Sequence, residues 1–309
     1  MKLNFLLLLL IPVLSFGQNN TSFTKLINET NHYLKEYEKV YPLDKVYSIT
    51  DFDLSEEEKL ELIEFSEEDD WLTATTDSVD AFSMIAYLQH KIIGNIKDII
   101  AHEDFLKYDI TRLIIGEDIH IAKSEDNKLF NFSIDEKTGG SYRSSLSVTY
   151  YTDGVINEPE EKDDSAFSFS TDGIDEIYTL YTQEGTKYVL LSYVRACNSC
   201  FYSTINLISY KDKRFVDEFH YSLELRDTEG GVSYDPETKT IHAEYYIDDL
   251  TPYCYCNEAE ADQHMFGYNR YDKVELQIQC QCLFVFNGTT FELVKESWEE
   301  ESFVNNTNQ

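Results

Sequence analysis

Residues 276–286 read Leu-Gln-Ile-Gln-Cys-Gln-Cys-Leu-Phe-Val-Phe, and this alternation decides the fold class. A strand turns successive side chains to opposite faces. Leu276, Ile278, Cys280, Cys282, Phe284 and Phe286 then share one face, and Gln277, Gln279 and Gln281 take the other. The segment is expected to be a strand with one side in a core. A β-rich composition with the same period runs from about Thr111 onward, punctuated by turn residues. Strands are expected over 118–122, 128–134, 142–152, 176–182, 187–196, 201–210, 214–225, 240–247, 274–286 and 290–295.

Asn198-Ser199 and Asn287-Gly288 suit tight hairpins, since Asn and Gly tolerate positive φ. Consecutive hairpins give an antiparallel meander. Ser124 to Lys128, Thr182 to Lys187 and Asp235 to Lys239 each look like a turn feeding a strand, about 50–60 residues apart. A propeller blade needs roughly 40–50 residues, so a propeller-like arrangement is the less favoured reading. Upstream the period changes. Phe23, Leu26, Ile27, Tyr33, Leu34, Tyr37, Val40 and Tyr41 follow helical spacing, and Pro42 ends the run. A short acidic helix is expected around Ser55 to Phe65. A third helix, capped by Asp77 or Ser78, carries Phe82, Ile85, Leu88, Ile92, Ile96, Ile99 and Ile100, with Gly94 as a place to kink. The expected fold is α+β, mainly β: an antiparallel β-meander or sandwich-like sheet with N-terminal helices packed on it. The chain divides into a helical region at 18–110, an antiparallel β domain at 111–298 and an acidic, polar, disordered tail at 299–309.

The first residues point to export. Lys2 precedes an apolar run from Leu3 to Leu14, and Ser15-Phe16-Gly17 offers small residues for a cut before Gln18. This is the plan of a signal peptide, occupying 1–17. The run falls short of the roughly 20 apolar residues that a spanning helix needs, and Pro12 interrupts it. The mature chain is expected to be periplasmic or extracellular, with no stable membrane insertion after signal removal. Its 58 acidic residues against 25 basic give a formal charge of −33. Nucleic acid is therefore a poor partner, because phosphate binding needs clustered cations. The acid falls in runs, such as Glu56-Glu57-Glu58 and Glu67-Glu68-Asp69-Asp70, that suit solvated faces.

Asp126-Asn127-Lys128-Leu129-Phe130 leads on to Thr138-Gly139-Gly140-Ser141-Tyr142-Arg143. This stretch resembles a recurring segment of exported β-rich proteins of Gram-negative bacteria whose function is uncharacterised. The likeness covers about 20 residues well and the Lys187 to Phe215 hairpin loosely, where this chain places a Cys-x-x-Cys in the turn. The resemblance implies export and β architecture and carries no activity with it.

Six cysteines fall in three close pairs: Cys197/Cys200, Cys254/Cys256 and Cys280/Cys282. An even count in an exported chain points to disulfides. Cys254 and Cys256 share one face of their segment, as Cys280 and Cys282 do of theirs. If the two segments are neighbours, the simplest pairing is Cys254–Cys282 with Cys256–Cys280. The alternative is a metal site of four thiolates, Cys254, Cys256, Cys280 and Cys282, holding Zn²⁺ or Cu(I). Cys197 and Cys200 flank a hairpin turn, where a bridge closes a very small loop. No helix follows Cys200 to lower a thiol pKa, which argues against redox catalysis.

No sequence motif specifies a reaction. The seven histidines, His32, His90, His102, His120, His220, His242 and His264, lack ligand spacing, and His120 is read as an outward strand position. Asp51-x-Asp53 and Asp172-Gly173 are turn fragments rather than an EF-hand loop. No cofactor and no catalytic residue is assigned. The leading expectation is a non-catalytic module binding a protein or glycan partner; the alternatives are thiolate metal binding and a hydrolase with a dispersed site. N-terminal sequencing of the chain recovered from an exporting host is expected to begin at Gln18. A mature pool still carrying Met1 would contradict the export reading.

Overall fold

The computed structural model describes residues 22–43, 46–67, 72–139, 143–153, 155–157, 173–195, 200–226, 230–248, 256 and 276–302; the expected signal peptide lies outside them. Helix α1 (Phe23–Glu38) begins where the Ser22 hydroxyl accepts the Lys25 N–H. It buries Leu26, Ile27, Leu34 and Tyr37. It stops at Glu38, short of Tyr41. Helix α2 (Glu56–Glu67) opens on three glutamates, which favour the positive end of a helix. Helix α3 (Ala81–Ala101) starts later than the expected Asp77 or Ser78. The Asp80 carboxylate accepts the N–H groups of Phe82 and Ser83. Residues before it pair instead as a two-stranded sheet of β1 (Val46–Ser48) and β2 (Ser78–Asp80). The helix does not break at Gly94 but runs through it.

The β region is mainly antiparallel, as expected, but it is three sheets rather than one. Sheet 1 is β3 (Ile119–Lys123), β4 (Leu129–Asp135), β5 (Ser145–Tyr151) and β6 (Val155–Asn157). Sheet 2 is β7 (Glu176–Thr182), β8 (Gly185–Arg195), β9 (Cys200–Lys211) and β10 (Arg214–Arg226). Sheet 3 is β11 (Gly231–Asp235), β12 (Thr240–Asp248), β13 (Leu276–Phe286) and β14 (Phe291–Ser302). In each, strands adjacent in sequence are adjacent in space. The turns at 124–128, 182–187 and 235–239 fall in or at the first hairpin of each sheet. The weak 50–60-residue spacing therefore marks a repeated four-stranded meander. Among the described residues no sheet closes into a barrel or ring.

Three apolar layers hold the stack together. The first lies between the helices and sheet 1, where Leu34, Tyr37, Leu88 and Ile92 meet Phe130, Phe132, Ile134 and Val148. The helical region and the first sheet thus bury one common core across the boundary expected at residue 110. The second joins sheets 1 and 2 through Ala122, Leu129, Tyr188, Leu190, Ile208 and Phe215. The third joins sheets 2 and 3 through Val189, Ile205, Leu207, Tyr221, Leu223, Ile241, Tyr245 and Phe284. Strand alternation supplies both faces of sheet 2: Val189 and Leu207 point one way, Leu190 and Ile208 the other.

Where the chain passes to a new sheet, buried serines of the sheet it has left receive it. Ser147 Oγ accepts the Gly173 N–H at 3.0 Å and Ser133 Oγ accepts the Ile174 N–H at 3.0 Å. At the next crossing Ser203 Oγ accepts the Val232 N–H at 2.9 Å. Ser147 and Ser203 occupy the third strand of their sheets. Each bond satisfies a backbone donor that would otherwise be stranded between layers. Gly173 has φ +80°, and a Cβ on it would come within 3.2 Å of the Ser145 Cβ. At Gly230 a Cβ would overlap the Glu244 carbonyl. Both crossings need glycine.

One turn and one end differ from expectation. Asn287-Gly288 is part of a longer loop, because Phe286 pairs with Phe291. Asn287 Oδ1 accepts the N–H groups of Thr289 and Thr290, an Asx-type turn. The Asn198-Ser199 turn lies outside the described residues. Strand β14 continues through Glu299, Glu300 and Glu301 to Ser302, into the stretch expected as tail. An edge strand tolerates such charges, and they discourage pairing with other chains.

Buried lysines clamp the layers. Lys137 Nζ donates to the Tyr37 and Val40 carbonyls at 2.9 and 3.1 Å, sits 2.9 Å from Asp118 Oδ2, and lies over the Tyr37 ring. Lys187, 1% exposed, ion-pairs with Glu218 and donates to the Thr289 carbonyl at 2.6 Å in sheet 3. Ser209 and Lys211 donate to the other Glu218 oxygen at 2.7 and 2.8 Å. Burial alone would raise the Glu218 carboxyl, but hydrogen bonds from Lys187, Lys211 and Ser209 outweigh it, and its pKa falls below the ordinary 4.5. A depressed folded pKa contributes stability that is present above the unfolded value and lost as pH falls through the folded one. Stability should therefore drop as pH goes below 4.5. Glu218→Gln should flatten that acid limb in urea titrations and cost about 1–3 kcal/mol at pH 7, because buried Lys187 loses its closer anion and keeps only the half-exposed Glu184 at 3.3 Å. An unchanged acid limb would contradict the assignment.

Candidate functional site

The cysteines come first, as the constellation singled out in the sequence. Cys256 bonds to Cys282, with Cα atoms 5.5 Å apart. Cys200 and Cys280 are disulfide-bonded as well. Cys197 and Cys254 lie outside the described residues. Both expected bridges, Cys254–Cys282 and Cys256–Cys280, are thus overturned by Cys256–Cys282. The pairing assumed two neighbouring strands, yet β13 has β12 and β14 as its neighbours. Cys256 instead comes from the connection between β12 and β13 and is tied down onto the inner face of sheet 3. Cys256, Cys280 and Cys282 are each at most 3% exposed, within the apolar layer shared with sheet 2. Sulfurs held in disulfides are not thiolates, so these three are not ligands of the alternative metal site. Among the described residues no three His, Cys, Asp or Glu side chains gather into a metal-holding group.

The histidines are likewise dispersed. His32 Nε2 meets the Asp53 carbonyl and His120 Nε2 the Asp175 carbonyl, with His120 exposed as expected. His220 Nδ1 meets Asn206 Oδ1.

What the structure does assemble is the outer face of sheet 3. In β12, Ile241, Ala243 and Tyr245 point inward and are buried, while His242 and Glu244 point outward. In β13, Cys280, Cys282 and Phe284 point inward and Gln281 outward. The register sets His242 beside Leu283 beside Lys295, and in the next row Glu244 beside Gln281 beside Ser297. A β-bulge in β14 makes this possible. Phe291 is buried opposite Phe286, and strict alternation from it would turn Lys295 and Ser297 inward as well. The register shift between Leu283 and Phe284 leaves Val294 unmatched, so Lys295 and Ser297 face outward. The two rows enclose an open depression of about 270 Å³, with Leu283 among its lining.

The depression mixes polar and apolar surface and is nearly balanced in charge. Glu244 accepts a hydrogen bond from the Gln279 amide. Lys295 is exposed and makes no ion pair among the described residues. His242 shares a hydrogen bond of 3.1 Å with Thr240 Oγ1 through Nε2. Behind them, Asp235 closes the β11–β12 turn. Its carboxyl is held below the ordinary range, first by the Thr238 hydroxyl and then by the Glu237 N–H. Of this face, sequence reasoning singled out Gln279 and Gln281, and named His242 only as a histidine without ligand spacing. The adjacent apolar pair Leu293-Val294, which breaks alternation in β14, is the signal that would have exposed the bulge.

Comparison of the sequence with models of known protein families finds no match, and comparison with curated proteins finds no relative. The site is therefore read from its own chemistry. The described geometry defines an α+β stack of three antiparallel sheets whose last sheet turns a hydrogen-bonding face outward. Replacing Cys256 and Cys282 together with alanine should lower stability by about 2–4 kcal/mol in urea unfolding, the loss typical of a loop of this length. A loss near zero would show that the bridge does not hold the connection to the core.

Proposed function

We propose that this chain is an exported, non-catalytic binding module that takes an uncharged glycan on the outer face of its third sheet. The observation that carries the reading is the depression itself. It combines acceptors (Glu244, His242), donors (Lys295, Gln281, Ser297) and one apolar side chain, Leu283, around about 270 Å³. Sugar hydroxyls both donate and accept, and sugar rings carry apolar C–H faces, so this mixture suits them. A protein partner is less well matched, because the centre of a protein interface is depleted of charge and enriched in aromatics. The formal charge of −33 opposes an acidic polysaccharide or nucleic acid. Export is supported by the signal-like 1–17 segment and by disulfides, which persist in oxidising compartments.

The secreted chain, probed on an array of neutral oligosaccharides, is expected to bind a related subset. Gln281→Ala and Lys295→Ala should each weaken that binding about tenfold, the worth of one well-made hydrogen bond. Absence of binding to every neutral oligosaccharide, or binding indifferent to both substitutions, would overturn the reading.

A further inference from the structure

A row of four side chains runs along sheet 3 from the β11–β12 turn to the depression. Thr238 Oγ1 lies 2.7 Å from Asp235 Oδ2, Thr240 Oγ1 lies 2.7 Å from Thr238 Oγ1, and His242 Nε2 lies 3.1 Å from Thr240 Oγ1. Each hydroxyl has one proton to give, and an ionised carboxylate has none. These two rules set the direction of every bond in the row. The Asp235 pKa is lowered, so the carboxylate is ionised at neutral pH and can only accept. Thr238 must therefore spend its proton on Asp235. Thr238 Oγ1 can then only accept from Thr240, which spends its own proton there. Thr240 Oγ1 can in turn only accept from the imidazole. The proton of neutral His242 therefore sits on Nε2, and Nδ1 carries a lone pair.

We infer that Asp235, Thr238 and Thr240 lock His242 in the Nε2–H tautomer, so that its Nδ1 acts as a hydrogen-bond acceptor for a ligand hydroxyl in the depression. His242 is a specificity-determining residue, and Asp235, Thr238 and Thr240 are positioning residues that never touch the ligand. The inference rests on the glycan reading for its ligand and not for its tautomer. A locked acceptor at His242, on the opposite side of Leu283 from the Lys295 donor, gives the face a polarity. A sugar must present a donating hydroxyl to one side and an accepting one to the other.

The row can be reversed by one atom. Asp235 Oδ1 accepts the Glu237 N–H at 2.9 Å, so in Asp235→Asn the amide oxygen keeps that place and the NH₂ faces Thr238. The amide then donates to Thr238, Thr238 to Thr240 and Thr240 to His242 Nε2, which moves the ring proton to Nδ1. Thr238→Val offers a milder change. It frees the Thr240 hydroxyl to turn and should give a mixture of tautomers. Long-range ¹H–¹⁵N correlation on the free, disulfide-intact protein at about pH 8.5, above the ordinary imidazole range, reads the tautomer directly. Dispersed amide signals in the same samples establish that each variant is folded. The expected result is Nε2–H in the wild type, Nδ1–H in Asp235→Asn and a mixture in Thr238→Val. A wild-type ring protonated on Nδ1, or a tautomer that neither variant moves, would overturn the lock. Binding to the array-selected neutral oligosaccharide should fall about tenfold in Asp235→Asn. Undiminished binding alongside an inverted tautomer would remove His242 from recognition. A confirmed lock in a protein that binds no neutral oligosaccharide would overturn the glycan reading alone.

Discussion

A four-stranded sheet has two faces, and each must either be covered by another layer or be polar enough for water. This protein meets that constraint three times in succession. Helices cover the outer face of sheet 1, sheet 2 is covered on both sides, and sheet 3 is the last layer among the described residues. Its outer face carries His242, Glu244, Gln281 and Lys295 where a further layer would need aliphatic side chains. Stacked repeats in general need such a terminal polar face. The same feature that ends the stack supplies the hydrogen-bonding surface proposed for recognition.

The layers are tied by a small set of polar devices, each placed where packing alone leaves a gap. Serines catch the backbone at the two crossings, Ser133 and Ser147 at the first and Ser203 at the second. Lysines reach across the outer two interfaces. Lys137 joins α1 to sheet 1, and Lys187 joins sheet 2 to the β13–β14 loop. In a chain with 58 acidic residues and 25 basic ones, burying two lysines commits scarce cations to architecture. Their carboxylate and carbonyl partners offset the desolvation that burial imposes.

Much of the fold was legible in the sequence, because strand alternation is a local property. Glu176–Thr182 was placed without error, and Thr240–Asp248 and Leu276–Phe286 nearly so. The division into three sheets was not. It depends on where the chain leaves one sheet for the next, and the marks of those crossings are single residues: Gly173 and Gly230, with serines far away in sequence. The short strands 46–48, 78–80, 155–157 and 231–235 were missed as well, since so few residues give a weak period. The candidate face was the least legible part. Lys295 and Ser297 reach it only through the bulge at Val294, and the pairing of Cys256 with Cys282 follows from a connection rather than a strand. Pairings between distant segments are set by the tertiary arrangement, and period-two reasoning does not reach them.

Native-state hydrogen exchange tests the layered stack most directly. Strand β4 and the paired strands β8 and β9 are covered on both faces, with Phe132, Val189, Ile205 and Leu207 fully buried. Their amides should exchange only through global unfolding and form the slowest set in the molecule. Amides of β12 and β13, with one face in water, should open at lower free energy. Equal protection across the three sheets, or faster exchange in β8 and β9 than in β12 and β13, would contradict the order of layers.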